Sequence, residues 1–146
     1  TKEYAVTCAA AVDRAARKTG LSEVDLDGHL SLDVVAGRLH SLFDILERVR
    51  YATAESDDPY VPIGTAPLID TIELYLIAAA QNAFDADANA VALDWAVSAK
   101  LVPLLDAGGV NREKLRHFAS TLPAPFDGLT RRAILEIESD GLYSVR

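Results

Sequence analysis

An arginine and a histidine, Arg112 and His117, stand five positions apart in the segment REKLRH. A guanidinium binds phosphate oxygens through a fixed fork of donors, and an imidazole exchanges protons near neutral pH. The pair therefore suits phosphodiester chemistry, with Arg112 holding the anion and His117 acting as general acid or base. Around it, between residues 110 and 132, five bases (Arg112, Lys114, Arg116, Arg131, Arg132) face two acids (Glu113, Asp127). Two carboxylate pairs, Asp44/Glu47 and Asp70/Glu73, repeat an i,i+3 spacing that places both members on one face of a helix. Carboxylates facing across two helices are what Mg²⁺ carrying phosphate oxygens requires. Asp70 and Glu73 interrupt an otherwise apolar run, where an unpaired carboxylate would cost several kcal/mol, so each calls for a base such as Arg38 or Arg48, or for a metal.

The spacing of Arg112 and His117 resembles the Arg-x4–6-His motif of HEPN ribonucleases, which are helical bundles. The resemblance covers six residues, two of them diagnostic, and Glu113 replaces the polar residue these nucleases commonly carry after the Arg. It implies metal-independent RNA cleavage at a dimer interface by Arg112 and His117. The carboxylate pairs are similar to the metal-binding helices of all-α nucleotide pyrophosphatases, implying Mg²⁺-dependent hydrolysis at Asp70 and Glu73 with Asp44 and Glu47 opposite. Those enzymes usually carry Glu-rich motifs, whereas both pairs here begin with Asp. The run Asp85-Ala-Asp87-Ala-Asn89 resembles the first half of an EF-hand loop, but Ala90 and Ala96 stand where that loop needs its Gly and its closing Glu.

The three histidines, His29, His40 and His117, have no metal-ligand spacing, so no cofactor is expected. The single Cys8 lies on an Ala-rich apolar face and reads as a small core residue. The chain has 146 residues, half of them apolar, and a net charge of −8. That is one domain's worth of chain, long enough to bury a core without metal or disulfide. No run of about 18 uncharged apolar residues is present to span a bilayer. The reading expects a soluble cytoplasmic protein, 1–146 as one domain, whose field repels nucleic acid and anionic membranes.

Apolar residues recur at three and four throughout, which predicts an all-α bundle of five or six helices. The first helix is expected from Lys2 to Lys18, with Thr1 as cap and Gly20 as stop. The acidic stretch 22–29 reads as a solvated loop or single turn. Ser31 is expected to cap the next helix, ending near Ala54, whose seam Leu32, Val35, Leu39, Leu42, Leu46 and Val49 packs within the subunit or across a homodimer. Residues 55–67, with three prolines and a glycine, read as the longest irregular segment. Thr65 is expected to cap a buried helix over 68–84, and Asp85 and Asp87 to open another running to about Asp106, kinked or ended by Pro103 before Gly108 and Gly109. Asn111 caps a short helix ending near Ser120. Residues 128–139 read as helix, with a C-terminal hairpin or strand at Asp140-Gly141 as the alternative.

No catalytic constellation is complete. The expected function is therefore a small acidic binding or regulatory module of the immunity, antitoxin or adaptor type, with a protein partner. Asp25, Asp27, Asp57 and Asp58 would steer a basic partner, with Tyr60, beside Pro59 and Pro62, as its apolar anchor. A bundle binding a small molecule among Tyr75, Phe84 and Trp95 is a third class.

Overall fold

Gly20 takes a φ of 75°, the left-handed conformation that ends a helix at least cost in glycine, and it closes α1 (Lys2–Thr19) where expected. The computed structural model describes residues 2–31, 33–81, 88–106 and 110–144, and their side chains except at 31, 33–38, 88 and 140–144. Thr1, Leu32, Phe84, Asp85, Asp87, Gly108, Gly109 and the side chains of Val35 and Arg38 thus lie outside the described residues.

The acidic stretch read as a loop is a helix, α2 (Glu23–Ser31). The Ser22 hydroxyl accepts from the Asp25 amide at 3.1 Å, three acids lie in or beside its first turn, and fully buried Leu26 anchors it. Ser31 consequently ends α2 instead of capping α3 (Asp33–Arg50). Leu39, Leu42, Leu46 and Val49 of the seam are buried within the one chain, together with Ile45. These four therefore offer no face to a second copy.

The irregular segment occupies 51–64, and α4 (Thr65–Ala80) follows it with Pro67 in its first turn. Gly64, not Thr65, is the cap residue, and no side chain caps this end. As its nearly all-round apolar sequence requires, α4 is central: Leu68, Ile72, Tyr75 and Leu76 are fully buried, and α1 and α5 (Ala88–Lys100) flank it. Pro103 divides the expected fourth helix into α5 and the single turn α6 (Val102–Leu105), since proline is tolerated only near a helix start.

The Asn111 side chain accepts from the Lys114 amide at 3.1 Å and opens α7 (Arg112–Ser120), as its sequence indicates. α8 (Leu129–Ser144) runs straight through Asp140-Gly141, so the hairpin and strand alternatives fall. The described residues thus form seven helices of nine residues or more plus the four-residue α6, in place of five or six, with no strand among them. One connected apolar core joins α1 to α8, and no helix among the described residues is long and apolar enough to cross a membrane.

Candidate functional site

Segment 51–64 is tied down at three points by cations from two helices. At the end of α3, Arg48 forks onto Asp58, Nε to Oδ2 at 3.0 Å and Nη2 to Oδ1 at 2.7 Å. The same Nη2 reaches the Thr121 hydroxyl at 2.6 Å, and the guanidinium lies 4.8 Å from the centre of the Phe118 ring. Arg50 donates to the Ile63 carbonyl at 2.7 Å and to Glu3 at 2.9 Å. From α7, the Lys114 ammonium donates to the carbonyls of Thr53 and Ala54 at 3.4 and 3.2 Å. Pro59, Val61 and Ile63 turn inward and are buried, which leaves Tyr60 outward and 59% exposed. Tyr60 and Pro59 line an open cleft with Ala52, Val110, Asn111 and Lys114.

This geometry separates the carboxylates expected to act together. Asp57 is exposed, but Asp58 is half-buried in the Arg48 fork, so its charge is neutralised within the molecule. Asp25 and Asp27 are exposed on α2, before the start of α3, whereas Asp57 and Asp58 follow its end. The four acids therefore belong to two separate elements, α2 and segment 51–64.

Arg112 and His117 do not converge. Half-buried Arg112 and exposed His117 lie five positions apart on α7, roughly 140° around its axis. The surrounding positive charge is largely engaged internally. Arg116 pairs with Glu138 at 2.5 Å, Lys114 holds the loop, and Arg131 donates to the carbonyls of Ala119 and Leu122 at 2.8 and 3.0 Å, closing the C-terminal end of α7.

The two carboxylate pairs also stay apart. Exposed Asp44 faces His40 at 3.6 Å, and Glu47 accepts from the Tyr4 hydroxyl at 2.7 Å. Tyr4 stacks on Phe43 with ring centres 4.0 Å apart, and its burial and the Glu47 bond hold the phenol above its ordinary pKa. Asp70 accepts from Arg14 at 3.0 Å, while buried Glu73 binds Lys18 at 2.5 Å with Arg14 at 3.9 Å. The base that the apolar helix demanded is present, but it comes from α1 and not from Arg48, because α4 packs against α1; the Arg38 side chain lies outside the described residues. Among the described residues, no three His, Cys, Asp or Glu side chains are grouped to hold a metal ion.

Tyr75 is fully buried with its hydroxyl on the His29 carbonyl at 3.1 Å, and Trp95 is half-buried against the core. The apolar cavity among Leu46, Val97, Leu105, Phe118 and Ile134 has only about 20 Å³, room for about one water molecule. Ligand pockets are generally at least tenfold larger. Asn89, from the calcium-like run, instead meets His29 Nδ1 at 3.0 Å.

Two buried carboxylates escaped sequence reasoning: Glu138, the partner of Arg116, and Asp94. Asp94 of α5 accepts from the amides of Leu129 and Thr130 at 2.7 and 2.9 Å, and its own carbonyl accepts from the Thr130 hydroxyl at 3.0 Å. It is the N-terminal cap of α8, supplied from another helix, where an anion also complements the helix dipole. Gly128 makes this approach possible, since a Cβ there would lie 2.9 Å from Asp94 Oδ2. No local signal marks a cap 35 residues distant.

Compared with models of known families, with curated proteins and with solved structures, the chain matches none.

Proposed function

We propose that this chain is a protein-binding module of regulatory or adaptor type, and that Tyr60 is the anchor of its contact. The observation that carries this reading is the clamped loop: Arg48, Arg50 and Lys114 hold a proline-rich segment in place while Tyr60 stays exposed at the lip of a cleft. A tyrosine combines a large apolar ring with a hydroxyl, and a loop already ordered forfeits little conformational freedom on binding. Exposed Glu55 and Asp57 flank the site and favour a basic partner. Asp58 has a supporting role, since it braces the loop through Arg48.

The test compares wild type, Tyr60→Ala and Asp57→Asn as baits at low and high salt, with bound proteins quantified. Loss of a specific partner in Tyr60→Ala and a flatter salt dependence in Asp57→Asn support the reading. Equal capture by all three, with unchanged salt dependence, removes the loop as the binding site.

A further inference from the structure

We propose that the groove between α1 and α2 docks a basic amphipathic helix of a partner protein. This rests on the reading of the chain as a binding module but not on Tyr60, which lines a different cleft.

Burial of Leu26 fixes the orientation of α2 and turns Val24 to solvent, where it is 81% exposed, the largest value among the described large apolar side chains. Across the groove α1 presents exposed Ala9, and on the same helix Ala5 is exposed and Val6 is 62% exposed. Ala9, Val12 and Val24 line the groove, with Glu23 and Asp27 at its edge. Small side chains on α1 allow a third helix to approach closely and seat its ridge between the two. Apolar surface of this kind beside polar edges marks interaction sites.

Charge selects the occupant. Glu23 and Asp27 are one helical turn apart, both exposed, and neither is in a salt bridge among the described residues. The nearby cations of α1 are engaged elsewhere, Arg14 with Asp70, Arg17 with Asp13 at 2.6 Å, and Lys18 with Glu73. Among the described residues neither carboxylate has a cation of its own, and the negative field reaches α1 itself: burial and then the charge of Asp27 hold the Cys8 thiol above its ordinary pKa. Such a field attracts Lys or Arg and repels nucleic acid, anionic lipid and a second copy of a chain of net charge −8. A helix with small apolar residues three and four apart, flanked by bases, fills the groove and pairs both carboxylates.

A photo-reactive residue decides the matter. The 146-residue chain carrying Val24→p-benzoylphenylalanine is irradiated in extract of its native host, and the cross-linked peptide is identified by mass spectrometry. The same is done with Glu23→Lys/Asp27→Lys added and, separately, with Tyr60→Ala added. Circular dichroism checks that each variant keeps its helix content. The expected result is attachment to a Lys- or Arg-rich helical segment, persisting in Tyr60→Ala and falling about tenfold or more on charge reversal. No cross-link in a folded chain, attachment to a second copy, to nucleic acid, to lipid or to an acidic segment, or indifference to charge reversal overturns the proposal. Loss in Tyr60→Ala overturns it as a separate surface, while loss of partners in Tyr60→Ala with this cross-link retained supports both readings.

Discussion

Around α7 and α8 three charged side chains bind backbone, whereas the acids of α2 are exposed and bind nothing described. Asp94 holds two amides at the start of α8, Arg131 two carbonyls at the end of α7, and Lys114 two carbonyls of the loop. Glu23, Asp25 and Asp27 are exposed instead. A helix end or an irregular segment leaves peptide groups without partners, and ions nearby satisfy them at close range. Where α2 already has Ser22 as its cap, its remaining acids are left for solvent or for another molecule. A high local charge is thus poor evidence of a binding site until its geometry is known. The basic stretch 110–132 and the acidic stretch 22–29 carry net charges of equal size, +3 and −3, with opposite structural consequences.

Substitutions in the two regions should differ accordingly. The yardstick is Leu42, fully buried in α3, which joins them: Leu42→Ala is expected to cost roughly 2–5 kcal/mol in urea unfolding, through lost burial plus a cavity. A loss below about 1 kcal/mol would mean that the helix register is wrong. Next comes Asp94→Ala, expected to cost roughly 2–4 kcal/mol because two amides lose a charged acceptor at the start of α8. An effect under about 1 kcal/mol would show that α8 is not capped from α5. Arg48→Ala removes the fork on Asp58 and the contact with Phe118, and about 1–2 kcal/mol is expected. Its informative readout is limited proteolysis, which should begin within 51–64. Glu23→Gln/Asp27→Asn should change stability by less than about 0.5 kcal/mol, as befits exposed groups with no described partner. A clear loss would place these acids among the structural ions and erase the contrast.

The all-helical architecture was legible because apolar spacing at three and four and local stop signals act over a few residues. Gly20 and Asn111 do what their types suggest. The helix α2 was missed although Ser22 and the acid-rich first turn are an N-terminal signature, because three acids and Gly28 outweighed it in a stretch whose apolar content is small. The pairing of Glu73 was legible in kind, since a buried carboxylate demands a base, but not in partner: that depends on α4 choosing α1 as neighbour. Asp94 was illegible, since its partners are 35 and 36 residues away and nothing near Trp95 marks it as a cap. For the candidate site, the proline content announced an irregular segment with Tyr60 in it, while the difference between exposed Asp57 and clamped Asp58 required the position of Arg48.

The smallest effect tests the outward-facing half of the contrast without any partner. Cys8 is half-buried on α1, and both its burial and the nearby charge of Asp27 favour the neutral thiol over the thiolate. Only the thiolate is alkylated, so near pH 8 native Cys8 should react with iodoacetamide more slowly than the same thiol in the denatured chain. Removing the carboxylate charge with Asp27→Asn lowers the thiol pKa, raises the thiolate fraction at fixed pH and speeds the reaction. Burial, the larger cause, is untouched, so the acceleration should stay below about threefold, and added salt should shrink it by screening the charge in the wild type. The opposite sign, a slower reaction in Asp27→Asn, would overturn Asp27 as a source of the field at Cys8, since loss of a nearby negative charge can only favour the thiolate. An acceleration independent of salt and much above threefold would instead report opening of the α1–α2 packing, and Cys8 would then be measuring exposure and not field.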